Sequence, residues 1–302
     1  AEFSRKYNNV EHIMYDSISY DGLLDANSTM FGIRAIPAYY FNKAKTIVSF
    51  GADFLANWGP DNYSTDYVNN RNPKNGSMSK HYQIESNLSL SGSNADKRIP
   101  IKPSEQEYLI SNLYRSLTGS ANIDSRISEI YKRLKSTKGS SIVVSDSKKS
   151  EIQLIVNEIN NLLENYGNTI DIQKPCYIKQ GNLSKVDLLI ERMHQEEVGS
   201  IITYNVNPAY NLARSTEFKE ALGKVDLKIA NCLSIDETAI LMDYQLPIHH
   251  NLESWGDANP AFENYSLMQP TIQPLFDSRQ FEESLLVWTD RSDYYTYLKK
   301  SF

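Results

Sequence analysis

An unbroken apolar run from Lys45 to Phe50 (KTIVSF) stops abruptly at Gly51, Ala52 and Asp53. A run without polar alternation suits a strand buried on both faces, as in parallel sheets covered by helices on each side. A second run, Ser200 to Tyr204 (SIITY), also gives way to turn-forming residues, Asn205 to Pro208. Two such runs, with helical patterns between them, point to an α/β architecture with largely parallel sheets.

The alternation can be followed along the chain. A helix is predicted from about Tyr63 to Asn70, stopping before the turn-rich Asn72 to Gly76, and a strand from His81 to Glu85. Ser104 reads as a cap, with acidic residues in the first turn of a helix that runs to Leu117 and ends at Gly119. A first lobe is expected to close there, giving lobes of residues 1–118 and 119–302. The second lobe reads as helix Asp124 to Leu134, strand Ser141 to Ser145, helix Ser150 to Tyr166 and an extended stretch near Ile170 to Ile172. Helix Ser184 to Gln195, the SIITY strand, helix Ser215 to Leu222 and strand Asp226 to Ala230 follow. After Pro260 the pattern weakens. Gln269 to Phe276 is expected to wrap irregularly over the surface, before a helix from Phe281 to Trp288 and a charged tail.

Between these lies a dense polar segment, Asp243 to Asp257 (DYQLPIHHNLESWGD). Gln245 to Ile248 reads as a short strand ended by Pro247, which cannot donate to a ladder, so the polar residues that follow leave the sheet. They would gather at its carboxyl edge, where open α/β sheets bind ligands. Ser49 to Phe54, Glu85 to Asn87 and Asn205 to Pro208 would fall on the same kind of edge. Small and turn-forming residues there let backbone amides approach an anion or a ring. Taken singly, Asp53 also reads as a helix cap, and Asn207 with Pro208 as an Asx-type turn.

Composition excludes several function classes. The 31 basic and 37 acidic residues give a net charge of -6, which supplies no basic field for a phosphate backbone, so nucleic acid is not an expected partner. No apolar run approaches the roughly 20 residues needed to cross a bilayer, so direct membrane insertion is not expected. The opening Ala1-Glu2-Phe3 reads as the start of a piece excised from a longer protein. Cys176 and Cys232 form no CxxC pair and cannot supply the thiolates of a zinc site or iron–sulfur cluster; buried thiols or a disulfide both remain open for them. His249, His250 and Glu253 offer an HxxE spacing able to hold a metal or act as acid and base, and a metal-dependent hydrolase using His250 and Glu253 is one alternative reading. A zinc site needs a third protein ligand, and His12, His81 and His194 occur in unrelated contexts. GxSxG, HExxH and P-loop signatures are absent. Trp255 reads as a packing or interface anchor.

The order of segments resembles a known family. Phe31 to Pro37 (FGIRAIP), then KAKTIVSFGADFL, then Leu90 to Pro103 (LSGSNADKRIPIKP) resemble successive segments of the molybdopterin oxidoreductase superfamily. So do Asn157 to Asn160 (NEIN), Asn165 to Gly167 (NYG), Tyr204 to Pro208 (YNVNP), Asp236 to Ala239 (DETA) and Leu246-Pro247. Through Leu252 to Asp257 (LESWGD), Gln269-Pro270 and Pro274 to Asp277 (PLFD), the resemblance is nearest to the molybdopterin-like part of the large iron–sulfur subunit of alternative complex III, a bacterial quinol oxidoreductase.

The resemblance covers nearly the whole chain and implies two Rossmann-like lobes. It also implies membership of a membrane electron-transfer complex on the periplasmic side of the bacterial inner membrane, with partner subunits that include an iron–sulfur domain. Relatives that bind molybdopterin guanine dinucleotide place it along the segments matched here by Gly51, Ala52 and Asp53, by Asn205, Asn207 and Pro208, and by Asp236, Glu237 and Thr238, with Glu85 and Asp96 in matching segments. This chain departs from them. Where relatives usually carry Asp followed by Pro-Arg, it has Glu85 followed by Ser86 and Asn87; it also lacks a Cys-rich iron–sulfur motif and a recognisable Cys or Ser metal-ligand loop. A highly anionic cofactor needs several cationic or amide donors, and few Arg candidates are present. The expectation is therefore a cofactor-free scaffold without its own catalytic centre. The alternative is a working molybdopterin guanine dinucleotide module.

Overall fold

A computed structural model of the chain describes residues 2–291 and 293–301; Ala1, part of the opening read as an excision point, lies outside them. The chain divides into two compact units. One comprises Ser19–Gln180 with Pro260–Phe262, the other Ala1–Ile18, Gly181–Asn259 and Glu263–Phe302.

The larger unit is built on four parallel strands. After β1 (Ile36–Tyr39) come β2 (Thr46–Phe50), β3 (Lys80–Glu85), β4 (Lys97–Pro100) and β5 (Ser141–Ser145), the last four arranged β4-β3-β2-β5. Every residue of β2 and β5 is buried, as the unbroken apolar runs require. Alternate side chains enter two cores. Val48, Phe50, Ile84 and Val143 pack on helices Gln106–Leu117, Ser128–Ser136 and Ser150–Leu162. On the opposite face, Ile47, Ile142 and Val144 meet helices Asp21–Phe31 and Asn62–Asn69 with an aromatic group around Phe41, Phe54 and Tyr63. Burying one such side chain stabilises by about 1.5–3 kcal/mol, so packing on both faces of the sheet contributes substantially to the stability of this unit.

A separate pairing sets β1 antiparallel to β6 (Ile170–Cys176), and Ala261 lies opposite Cys176. The boundary expected after residue 118 is corrected by β5, which pairs with β2 in register Thr46↔Ser141 through Phe50↔Ser145 and keeps residues up to Gln180 in the first unit.

The second unit carries three parallel strands in consecutive order, β7 (Ser200–Tyr204), β8 (Leu227–Cys232) and β9 (Tyr244–Pro247). Helices Leu183–His194 and Ser215–Leu222 cover one face through Val186, Ile190, Met193, Phe218 and Leu222. On the other face Leu227 and Tyr244 stay 40% and 58% exposed. Beyond Pro247 follow β10 (Gly256–Ala261) and β11 (Asn264–Met268), then helices Phe281–Val287 and Tyr294–Ser301. The α/β class with mainly parallel sheets is thus as expected.

The local expectations fare unevenly. Ser104 is not a cap, because Pro103–Glu105 forms a 3-10 turn in which the Glu105 carboxylate accepts the Lys102 N–H at 2.9 Å. Gln269 to Phe276 is free of helix and strand as expected, with β11 just before it, while the charged tail is helical. Cys176 and Cys232 are free thiols.

Candidate functional site

The carboxyl edge of the first sheet brings Gly51, Ala52, Asp53 and Glu85 into one neighbourhood. Gly51 turns the chain with φ +74, a left-handed value that favours glycine, and a Cβ there would run into the Asp146 carboxylate. Its N–H donates to Ile84 O at 2.8 Å, and the Ala52 carbonyl accepts the Ser49 hydroxyl at 2.8 Å. Asp53 accepts the Ser91 N–H at 2.8 Å, the Ser91 hydroxyl at 2.7 Å and the Leu90 N–H at 3.3 Å. It therefore holds the first turn of the short Leu90–Ser93 helix.

Glu85 is 3% exposed and saturated with donors. Oε1 accepts Arg98 Nε at 2.6 Å and the Ser89 N–H at 3.2 Å; Oε2 accepts the Ser89 hydroxyl at 2.6 Å and Gln83 Nε2 at 3.1 Å. Burial alone would raise its pKa, but the bonds from Ser89, Arg98 and Gln83 outweigh it and hold the carboxyl below the usual range. Residues 81, 83 and 85 share a face of β3, so the network continues along it. His81 Nε2 pairs with Gln83 Oε1 at 3.2 Å and Nδ1 with the Tyr67 hydroxyl at 3.1 Å. Because the Gln83 amide nitrogen is directed at Glu85, its oxygen accepts, which assigns the proton of the neutral imidazole to Nε2.

Asp96 lies elsewhere, at the amino end of the sheet. It exchanges bonds with the His81 backbone at 2.7 and 3.0 Å and takes a bidentate Arg71 at 2.7 and 3.1 Å. Burial pushes its pKa up, but Arg71 and the His81 N–H pull it below the usual carboxylate range.

In the second unit, Asn207, Pro208, Asp236, Glu237 and Thr238 come together beyond β7 and β8. Pro208 opens a short helix, Pro208–Asn211, where its missing N–H costs nothing. The Thr238 hydroxyl, 1% exposed, donates to Asn207 Oδ1 at 2.8 Å and accepts the Ala209 N–H at 3.0 Å. Asn207 Nδ2 donates to Glu237 Oε2 at 2.7 Å, lowering the Glu237 pKa, and Asp236 Oδ1 accepts the N–H groups of Thr238 and Ala239 at 3.0 and 2.8 Å. Asn205 has φ 50, and its N–H donates to Asn231 O at 3.0 Å.

The histidine segment folds onto itself. Glu253 accepts the His250 N–H at 2.8 Å and the Leu275 N–H at 3.0 Å, His250 Nδ1 accepts the Leu252 N–H at 3.2 Å, and His249 pairs with Ser278 at 2.7 Å. Both proposed hydrolytic groups thus secure loop backbone. Among the described residues no group of three or more His, Cys, Asp or Glu is placed to hold a metal ion.

Part of the chain, 91 residues or 29% of it, is 33% identical to the menaquinone reductase, molybdopterin-binding-like subunit of Nitratidesulfovibrio vulgaris, spanning 13% of that protein's length. Over those residues the chain is similar to a molybdopterin-binding-like subunit, in keeping with the superfamily resemblance read in the sequence.

Its fold is also that of acetylene hydratase from Pelobacter acetylenicus, with a TM-score of 0.67 at 12% identity, covering 93% of this chain and 52% of that one. A chain of the formyltransferase/hydrolase complex from Methylorubrum extorquens, in complex with methylofuran, matches with a TM-score of 0.60 at 11% identity, covering 94% of this chain and 83% of that one. No family model matches.

Against this background the matched residues can be tested for a molybdopterin guanine dinucleotide, and they do not fit it. An anionic cofactor at a strand edge relies on free amides and cations. In this chain the Ser89, Leu90 and Ser91 amides are taken by Glu85 and Asp53, and Arg98 by Glu85. The Thr238 and Ala239 amides are taken by Asp236. Each edge presents carboxylates where phosphates would need donors. Sequence reasoning did not find Ser89, Ser91 and Arg98. Ser89 was findable as an N-cap, since its hydroxyl accepts the Gly92 N–H at 2.9 Å, whereas the Arg98 pairing depends on the β3–β4 register.

Proposed function

We propose that this chain is the molybdopterin-like part of a larger subunit in a quinone-handling respiratory complex of the alternative complex III type, acting there as a cofactor-free scaffold. The carrying observation is the carboxylate saturation of both strand edges: Asp53, Glu85 and Asp236 occupy the amide and guanidinium donors an anionic dinucleotide would require. Kinship with a menaquinone reductase subunit supports membership of a complex. Among the described residues no helix is long and apolar enough to cross a membrane, so attachment to one would be through neighbours or other parts of the protein. On this reading electron transfer resides in other parts of the assembly, among them an iron–sulfur domain, on the periplasmic side.

Metal analysis and pterin mass spectrometry of the native assembly test the proposal. The expected result is no molybdenum and no pterin. Stoichiometric molybdenum with molybdopterin guanine dinucleotide would overturn it in favour of a working cofactor module.

A further inference from the structure

The second unit also contains a cavity of about 80 Å³, apart from the clusters around Asp53, Glu85 and Asp236. Its wall includes Tyr204, Trp255, Phe281 and Tyr294, together with the carboxylates of Asp257 and Glu282. Tyr204 and Phe281 stack with centroids 4.2 Å apart and planes within 10°; Trp255 packs on Tyr295 at 4.4 Å. The aromatic wall is therefore fixed before any ligand arrives.

The carboxylates in this wall hold no lysine or arginine among the described residues, and the one histidine in it, His249, is engaged by the Ser278 hydroxyl at 2.7 Å. Glu282 accepts Gln280 Nε2 at 3.1 Å and Asp257 accepts the Tyr294 hydroxyl at 3.4 Å, both neutral donors. No described Lys or Arg forms an ion pair with either, whereas Glu85, Asp96, Glu105 and Asp124 all hold an arginine. The field is felt by the neighbouring phenols. Burial first, then Glu282 and Asp257, push Tyr294 up to about 12, and burial with Glu282 raises Tyr204. A negative field excludes an anion, and the faces of aromatic rings attract cations, all the more strongly where water is displaced.

We propose that this cavity receives a cationic head group on an alkyl stem, a guanidinium or primary ammonium, held over the aromatic wall and paired with Glu282 and Asp257. The group could be carried by an arginine or lysine side chain of another polypeptide or by a free amine. This assignment stands independently of the scaffold reading, since it uses none of the Asp53, Glu85 and Asp236 contacts on which that reading rests.

The test is titration of the purified chain with N-acetyl-arginine amide, N-acetyl-lysine amide and the neutral N-acetyl-citrulline amide, observing the Trp255 indole N–H by NMR. Saturable shifts are expected with at least one of the cations and none with citrulline. Glu282→Gln and Asp257→Asn should each weaken binding about fivefold to tenfold, with an unchanged urea midpoint showing that the fold is intact. Butylguanidine and butylamine separate the sources. Binding as tight as that of the corresponding amino-acid amide identifies a free amine, and tenfold weaker binding identifies a peptide-borne side chain. Citrulline binding equal to arginine, no saturable shift with either cation, or full affinity in both variants would overturn the proposal.

Discussion

Arg98 Nε lies 2.6 Å from Glu85 Oε1, with the Glu85 side chain 4% and the Arg98 side chain 27% exposed. The pair joins β3 to β4 at the carboxyl edge of the sheet. Removing one partner leaves the other poorly solvated.

Glu85→Ala should therefore destabilise the larger unit by about 2–4 kcal/mol, read from urea unfolding, because Arg98, Gln83 and Ser89 lose their acceptor together. Arg98→Met should cost less, since Ser89 and Gln83 still satisfy the carboxylate. Equal losses in the two variants would show that the carboxylate network is not the stabilising feature.

His81, fully buried, gives a pH signature. Burial is the main cause that lowers its pKa from 6.5 to about 4. The unfolded chain then binds a proton that the folded chain refuses, so this contribution is complete above pH 6.5 and is lost as pH falls toward 4. The loss should reach about 3 kcal/mol. Glu85, depressed below 4.5, adds its own loss only below that value. Unfolding measured across this range, with NMR titration of the His81 ring, checks both; a ring that titrates near 6.5 refutes the first.

Thr238→Val keeps the shape but removes the hydroxyl that joins Asn207 Oδ1 to the Ala209 N–H. A loss of about 1–3 kcal/mol is expected, because the buried Ala209 amide is left without its acceptor. Thr238→Ser should retain most of the stability. Thermal unfolding of the two variants side by side distinguishes the hydroxyl from packing.

Gly51 and Gly32 have the same φ of +74, but a methyl group added at Gly32 would meet nothing within 4 Å, while one at Gly51 would face the Asp146 carboxylate. Gly32→Ala should cost about 1 kcal/mol through backbone strain alone. Gly51→Ala should cost about 1–3 kcal/mol more, because the carboxylate must also move. Chemical denaturation of both variants measures the difference.

The sheet strands were legible because burial on both faces leaves an unmistakable apolar run, as in Thr46 to Phe50 and Ser141 to Ser145. The lobe boundary was not legible. Whether β5 joins β2 or starts a new sheet is decided by long-range pairing, which local pattern does not record. Of the candidate site, turn chemistry after a strand pointed to Asn207, whereas Asp236, Glu237 and Thr238 came from the resemblance alone; their gathering depends on tertiary contacts. Asp96 was named from the resemblance without a position; coming before β4, it lies at the amino end of the sheet, against His81 and Arg71. The cavity beside Trp255 left no local signal, since its wall is assembled from residues as distant as Tyr204 and Tyr294.

The incomplete cover on one side of the three-stranded sheet, where Phe281 reaches only Tyr204, has a practical consequence. Leu227 and Tyr244 form a greasy panel that water wets poorly, on a kind of sheet that proteins ordinarily upholster on both sides. Polar replacements at these two positions should raise the salt concentration at which the chain precipitates, read by light scattering.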